Sequence, residues 1–355
     1  MSYQIELTTR DGQAFGFACE PGQDVLAAAA AADITLPSQC RRGSCGACHA
    51  TVTEGAYTLG EHSADALPAD EPRAVLLCRT TPSADLRVAA PYDHTKVLLQ
   101  PVAVRAARIV ALETIADDTR RLELHLEPDD ASGSAAEFEA GQFVELALPE
   151  GGVRRPFSLA NTSNWEGRLE FLIRLRPEGE FSAYLRERAQ PGDRLTVHGP
   201  QGGFGLIADS LRPRWFVAGG TGLAPVLSML RRMADYGEMN DARLFFGVNR
   251  ESELFMLDEL DALRAALPQL HVELCVREPD DAWEGAHGTP VDALAAGLAA
   301  VATSVATSAA TSVATSAAMP DIYVCGPPAM VSAAQAVAAR SRVPSAQFVS
   351  ERFTV

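Results

Sequence analysis

Four cysteines, Cys40, Cys45, Cys48 and Cys78, are spaced C-x4-C-x2-C-x29-C. Two irons bridged by sulfides need four thiolates, and one tight loop can supply three of them. Gly43 and Gly46 lie inside that loop. They allow backbone conformations closed to other residues and let N–H groups approach the sulfurs. Three more cysteines stand apart. Cys19 and Cys275 fall on strand-like segments and read as small core residues, whereas Cys325 ends a strand and opens the turn Cys325-Gly326-Pro327-Pro328.

The spacing is that of the plant-type ferredoxin ligands of a 2Fe–2S cluster, so Cys40, Cys45, Cys48 and Cys78 are the expected metal ligands. Three other uses compete. Cys45-Gly46-Ala47-Cys48-His49 also satisfies C-x-x-C-H, the covalent haem attachment pattern, but haem leaves Cys40 and Cys78 without a task. Zinc accepts four thiolates, though the x4/x2 spacing and the downstream segments point away from it. A Rieske centre needs two His ligands, and His49 alone is near. The iron–sulfur reading is preferred.

Further along, Arg155-Pro156-Phe157-Ser158 follows the Gly151-Gly152 turn. The set offers a cation for a phosphate, a ring to stack on an isoalloxazine and a hydroxyl for a flavin nitrogen, although alone it is a weak signal. Gly179-Glu180-Phe181-Ser182 opens a short helix whose free N–H groups suit a pyrophosphate. Gly219-Gly220-Thr221-Gly222-Leu223-Ala224-Pro225 joins a strand to a helix, as dinucleotide-binding turns do, with Pro225 where G-x-G-x-x-G has its third Gly.

These groups need elements to hold them. Residues 3–9 and 13–19 alternate as strands around Asp11-Gly12 and predict a hairpin. A short Ala-rich helix over Val25–Ala32, the Cys-rich loop and strands at His49–Thr53, Val75–Leu77 and Asp85–Val88 complete an α+β unit. Strand-like segments at Ala106–Leu112, Arg121–Leu126, Gln142–Leu148, Leu169–Leu175 and Arg194–Val197 predict an antiparallel barrel, with one helix over Ser182–Ala189. From Arg214 strands and helices alternate, predicting a parallel sheet with helices on both faces. The expected domains are residues 1–95, 96–208 and 209–355. Val301–Ala318 is a four-residue Ala/Thr/Ser/Val repeat without large side chains, expected to be a surface expansion after a helix.

At 355 residues the chain is too long for one ordinary core. Its 47% hydrophobic and 21% charged residues exclude disorder throughout. The net charge of −16 argues against nucleic acid as a partner. No apolar stretch approaches the roughly 18–20 residues of a membrane helix. No basic start precedes an apolar segment at the N-terminus, so a cytoplasmic protein is expected. Nothing resembles a dimerisation helix, which leaves a monomer as the expectation.

Taken together, Arg155–Ser158, the Gly-Thr-Gly turn, Cys325-Gly326-Pro327-Pro328 and Glu351-Arg352-Phe353 resemble the ferredoxin–NADP reductase superfamily. With the cysteine module in front, the chain resembles the reductase components of bacterial multicomponent oxygenases. It is most similar to the reductases of soluble methane monooxygenase and related short-chain alkane monooxygenases. RLEFLIRLRPEGEFSAYLR, FVAGGTGLAPVLSML, AWEGAHGTPVDAL and DIYVCGPPAM carry that likeness.

The resemblance implies a β-grasp ferredoxin domain, an FAD-binding β-barrel and an NAD-binding α/β domain. Arg155 would pair with the flavin phosphate, Phe157 (usually Tyr in the family) would face the isoalloxazine, and Ser158 would sit near flavin N5. Arg174, Gly179, Phe181 and Ser182 would hold the rest of FAD. Gly220, Thr221, Gly222 and Pro225 would line the NADH pyrophosphate site, with Asn249, Gly326 and Pro327 also at the dinucleotide. Cys325 would lie by the nicotinamide, and Glu351 and Phe353 near the flavin ring; Ser158, Cys325 and Glu351 are the implied catalytic set.

In the implied reaction NADH gives a hydride to the flavin, and electrons then pass singly through the 2Fe–2S cluster to a partner. That partner is expected to be the hydroxylase of a diiron monooxygenase. A Rieske-type aromatic dioxygenase is the alternative client, and a non-catalytic nucleotide-binding redox sensor is an alternative of another class. Arg250 would suit a 2′-phosphate, while Glu251 and Glu253 would repel one; the resemblance points to NADH. Residues 1–95 hold six Arg, no Lys and twelve Asp plus Glu. That negative balance either steers docking onto a basic partner or serves solubility.

Overall fold

A computed structural model describes residues 2–68, 71–99, 101–130, 133–149, 153–307 and 319–353. The chain divides into two compact units, Met1–Ala103 with Gln201–Gly203, and Val104–Pro200 with Phe204–Phe353.

In the first unit, β1 (Tyr3–Thr8) and β2 (Ala14–Cys19) form the expected hairpin, with Tyr3 opposite Cys19 and Thr8 opposite Ala14. Helix α1 (Val25–Ala31) begins where the Asp24 carboxylate accepts the Ala27 N–H at 2.8 Å, satisfying one of the donors a helix start leaves open. Then come β3 (His49–Glu54), β4 (Tyr57–Leu59), β5 (Ala74–Leu76), β6 (Thr80–Pro82) and β7 (Leu86–Ala89). The sheet order is β2-β1-β7-β3-β5, with β1 and β7 parallel; β4 and β6 pair separately. Val25, Leu26, Ala28 and Ala29 of α1 share a core with Ile5, Leu7, Phe17 and Val88. Small Ala side chains let the helix lie close across the sheet, the β-grasp arrangement. Cys19 is fully buried here as a small core residue.

The second unit contains two sheets. Strands β8 (Val104–Ala116), β9 (Thr119–Leu126), β10 (Phe143–Ala147), β11 (Arg154–Ser158), β12 (Arg168–Arg174) and β13 (Arg194–Gln201) run in the order β11-β10-β13-β8-β9-β12. A single bridge between Leu159 and Phe171 links the two outer strands and curls the sheet into a barrel. Pro156 lacks an N–H and sits accordingly in an outer strand, paired on one side only, with Glu145. Helix α2 (Glu180–Glu187) buries Phe181, Tyr184 and Leu185 in the barrel core. It starts two residues earlier than the sequence pattern predicts, immediately after Gly179.

Beyond the barrel come β14 (Arg214–Gly219), α3 (Leu223–Asp235), β15 (Ala242–Val248), α4 (Leu257–Ala266), β16 (Leu270–Val276), β17 (Ala286–His287), α5 (Pro290–Thr307), β18 (Asp321–Gly326), α6 (Pro328–Arg340) and β19 (Phe348–Arg352). The order is β17-β16-β15-β14-β18-β19, and each neighbouring pair runs parallel. Phe216 and Ala218 of β14 face one core with α3 and α4, while Trp215 and Val217 face another with α5 and α6. Cys275 belongs to this second core and is buried. The chain builds outward from β14 to β16 and then crosses to β18 on the other side of β14. That reversal opens a crevice at the carboxyl ends of β14 and β18, where α/β sheets take ligands.

Helix α5 continues into the first turns of the repeat, as far as Thr307. The rest of the repeat, the Gly151-Gly152 turn and the last two residues lie outside the described residues.

Candidate functional site

In the first unit the sulfurs come as two pairs. Cys48 Sγ lies 3.3 Å from Cys78 Sγ, and Cys45 is hydrogen-bonded to Cys40. Cys78 reaches its partner because Leu77–Arg79 makes a tight helical turn straight after β5. Three donors converge on the cysteine loop: Arg42 N–H and the Ser44 hydroxyl reach Cys40 Sγ, and Ala47 N–H reaches Cys45 Sγ, each at 3.4 Å. Hydrogen bonding from Cys45 brings the Cys40 thiol down to about 4, and the Cys45 thiol rises in exchange. Cys78 is lowered likewise by the thiol of Cys48, which rises.

The loop closes because Gly43 has φ +80° and no room for a side chain: a Cβ there would stand 2.9 Å from Arg79 Cγ and 3.0 Å from Glu61 O. Among the described residues no three His, Cys, Asp or Glu side chains gather as a single ion would require. Two thiol pairs, one of them met by N–H and hydroxyl donors, fit a two-iron cluster, which Cys40, Cys45, Cys48 and Cys78 would hold.

In the second unit, Ser158, Cys325 and Glu351 meet. The Ser158 hydroxyl donates to Glu351 Oε2 at 3.0 Å, and Cys325 Sγ donates to the same oxygen at 3.8 Å. Register explains the second contact, because Cys325 of β18 stands directly opposite Glu351 of β19. Ser158 comes from the barrel strand β11, so this cluster spans barrel and parallel sheet. All three side chains are buried. Burial raises the Glu351 carboxyl to about 7, against the pull of its two donors. Burial and the neighbouring Glu351 together raise the Cys325 thiol well above its ordinary value.

The turn Gly220–Gly222 sits against this cluster. A Cβ on Gly222 would stand 2.1 Å from the Cys325 carbonyl oxygen, so the close approach admits only glycine. Gly220, at φ +53°, faces open space. Thr221 is half-buried, whereas Pro225 is buried in the first turn of α3, where its missing N–H costs nothing. On the far strand, a Cβ on Gly326 would meet Met330 Cε at 2.5 Å; Pro327 then leads into α6, and Phe353 N–H donates to Gly326 O at 2.9 Å.

On the barrel, the Phe157 ring packs on Phe181 with centroids 4.9 Å apart. Arg155 donates to Arg154 O at 2.9 Å, and Arg174 is exposed at the end of β12. The Ser182 hydroxyl accepts the Arg176 N–H at 3.0 Å, fastening the preceding loop to α2, while Gly179 faces open space. Asn249 lies apart, beyond β15, where its backbone N–H donates to Glu253 Oε2 at 3.2 Å and Arg250 pairs with the same carboxylate. A carboxylate so placed disfavours a 2′-phosphate. Backbone faces left open by Gly179 at the start of α2 and by Gly220 at the switch point suit nucleotide phosphates. Ser44 and Arg42 were not legible as sulfur donors from the spacing of the cysteines; a hydroxyl inside the loop was the available signal.

Three known families match successive stretches of the chain. The 2Fe-2S iron-sulfur cluster binding domain family matches residues 8–83, the oxidoreductase FAD-binding domain family residues 106–205, and the oxidoreductase NAD-binding domain family residues 216–336. Methane monooxygenase component C of Methylosinus trichosporium is 38% identical over 83% of this chain and 87% of its own length. The chain belongs to the flavin and iron–sulfur reductase components of bacterial oxygenases. The ferredoxin–NAD(+) reductase component of the Xanthobacter autotrophicus alkene monooxygenase system is 39% identical over 81% of this chain and 86% of its own. The toluate 1,2-dioxygenase electron transfer component of Pseudomonas putida is 30% identical over 99% of both. Among solved structures, the Amycolatopsis cytochrome P450 reductase GcoB superposes with a TM-score of 0.74 at 28% identity, covering 99% of each chain. The protein is thus an NADH-dependent flavin and iron–sulfur oxidoreductase. No helix among the described residues is long and apolar enough to cross a membrane.

Proposed function

We propose that this reductase delivers electrons from NADH to the hydroxylase of a diiron monooxygenase of the methane or short-chain alkane type, in the cytoplasm and as a monomer. The observation that carries the choice of client is the 38–39% identity to the two monooxygenase reductases, against 30% to the toluate dioxygenase component. The dioxygenase likeness runs over the whole chain, so a Rieske dioxygenase is the competing client.

In this reading three modules divide the work, with boundaries near residues 95 and 208. Cys40, Cys45, Cys48 and Cys78 hold the cluster. Arg155, Phe157, Arg174, Gly179, Phe181, Ser182 and Phe353 hold FAD. Gly220, Thr221, Gly222, Pro225, Asn249, Gly326 and Pro327 hold the dinucleotide. When bound, FAD exchanges the two-electron hydride of NADH for the single electrons that a 2Fe–2S cluster carries. The protein's share is placement and proton control. Ser158 donates to Glu351 Oε2, and Glu351 keeps its proton up to about pH 7 because it is buried. Cys325, a buried neutral thiol, donates to the same Glu351 oxygen.

Anaerobic reduction of two purified acceptors by NADH and this protein tests the proposal. A soluble diiron hydroxylase should be reduced fast and a Rieske dioxygenase slowly; the reverse preference overturns the choice of client. NADH binding without turnover of ferricyanide would instead favour a redox sensor.

A further inference from the structure

One face of α3 is bonded to the barrel at three successive residues. The Ser228 hydroxyl donates to Asn161 O at 2.7 Å, Arg231 Nη1 donates to Ala160 O at 2.8 Å, and the Thr162 hydroxyl donates to Asp235 Oδ2 at 3.0 Å. Positions 228, 231 and 235 fall on one side of a helix. The segment they grip, Ala160–Thr162, begins two residues after Ser158.

Beneath it lies Glu170 of β12, fully buried, with Arg121, Arg168 and Arg231 around its carboxylate. The distances are 3.3 Å from Arg121 Nε, and 3.2 Å from both Arg168 Nη2 and Arg231 Nη1. Asn161 ties the layers together, its Oδ1 accepting Glu170 N–H at 2.9 Å and its Nδ2 donating to Arg168 O at 2.7 Å. Arg231 also donates from Nε to Glu259 of α4 at 2.8 Å. Its side chain is only 15% exposed. Burial works against its charge, but Glu170 and Glu259 more than offset that and raise its pKa.

A buried ion cluster is a poor source of stability, because desolvation cancels most of the attraction. What it does supply is direction: a planar guanidinium holding a carbonyl and two carboxylates at once permits one placement. Helix α3 carries the Gly220–Gly222 turn at its N-terminus, and the Ala160–Thr162 segment continues the strand that carries Phe157 and Ser158.

We propose that Ser228, Arg231 and Glu170 are positioning residues that fix α3, and with it the dinucleotide turn, against the flavin-side strand, setting the approach of nicotinamide to flavin. The inference rests on the assignment of those two sites. Proximity chemistry is steep in distance, so a displacement near 1 Å is worth about a hundredfold in rate.

Full-length wild type, Ser228→Ala, Arg231→Lys and Arg231→Met, each with flavin and cluster, are the test. Arg231→Met leaves Glu170 paired with Arg121 and Arg168, and Ser228→Ala keeps every charge. At saturating NADH the limiting rate of flavin reduction should fall about tenfold or more in Arg231→Met, less in Arg231→Lys, and about threefold in Ser228→Ala. Dinucleotide affinity, flavin content and cluster absorbance should stay near wild type. The readout independent of turnover is the long-wavelength absorption that appears when NAD+ is added to dithionite-reduced protein, which should weaken in the same order. Unchanged rates and an unchanged band overturn the inference. Loss of rate only in step with loss of flavin also overturns it, by assigning the network to stability. Wild-type flavin that NADH does not reduce would remove the reading beneath it as well.

Discussion

Cys78 lies far along the chain from the cysteine loop, yet its sulfur stands 3.3 Å from that of Cys48. On the proposed assignment, removing it would leave one iron short of a ligand while the nucleotide modules are untouched. Cys78→Ser should therefore abolish the cluster's visible absorbance and its low-temperature EPR signal when reduced. NADH should still reduce the flavin within about twofold of the wild-type rate, since the steps are separable. Anaerobic rapid mixing with spectroscopy checks both.

Glu351 gives a prediction of a different kind. Its folded value near 7 lies above that of an exposed carboxyl. Between about pH 4.5 and 7 the folded chain therefore holds a proton that the unfolded chain has released. Stability from this group is present at low pH and is lost as pH rises towards 7, amounting to about 3 kcal/mol. Glu351→Gln carries no such proton. Its denaturant midpoint relative to wild type should rise between about pH 5 and 7.5; a constant difference would mean that Glu351 titrates normally. Cys78 was legible in sequence from the type and spacing of the cysteines, and Glu351 through the resemblance that Glu351-Arg352-Phe353 carries. Arg231 and Glu170 were not, since single Arg and Glu residues on a helix and a strand read as solvated faces.

At the scale of elements, the strand–helix alternation after Arg214 was legible because buried parallel strands are continuous apolar runs, as in Trp215–Ala218. Strand β11 was not. Its Arg-Arg-Pro start lacks strand alternation, and it forms by pairing with β10, where Phe143 faces Ser158 and Ala147 faces Arg154. Nor was β19 legible as a strand, although its pairing with β18 is what brings Glu351 to Cys325. The Leu159–Phe171 bridge that closes the barrel depends on curvature, which no local pattern carries.

The turn after β14 makes a sharper case. Gly222→Ala places a methyl where the Cys325 carbonyl stands, so the turn must move. It should destabilise the protein by about 1–3 kcal/mol and weaken NADH binding, while reduction of the cluster by dithionite is unaffected. A thermal melt and an NADH titration of the flavin would show it; a variant with wild-type affinity would mean that the turn does not hold the dinucleotide.

For the whole molecule, charge was legible and its use was not. The chain carries −16, and residues 1–95 share in that excess. If the first unit docks by charge, the second-order rate of electron delivery to a hydroxylase should fall about threefold or more as ionic strength rises from about 20 to 200 mM, because exposed charges are screened within roughly 10 Å. A rate insensitive to salt assigns the charge to solubility.

The central claim is that one chain carries electrons from NADH through FAD to the four-cysteine cluster. Its most direct test is anaerobic rapid mixing of the holoprotein with one equivalent of NADH, followed at flavin and cluster wavelengths, with Cys78→Ser beside it. Flavin bleaching should come first and cluster bleaching second, with the second phase missing in the variant. A cluster that stays oxidised in the wild type after the flavin is reduced would contradict the account.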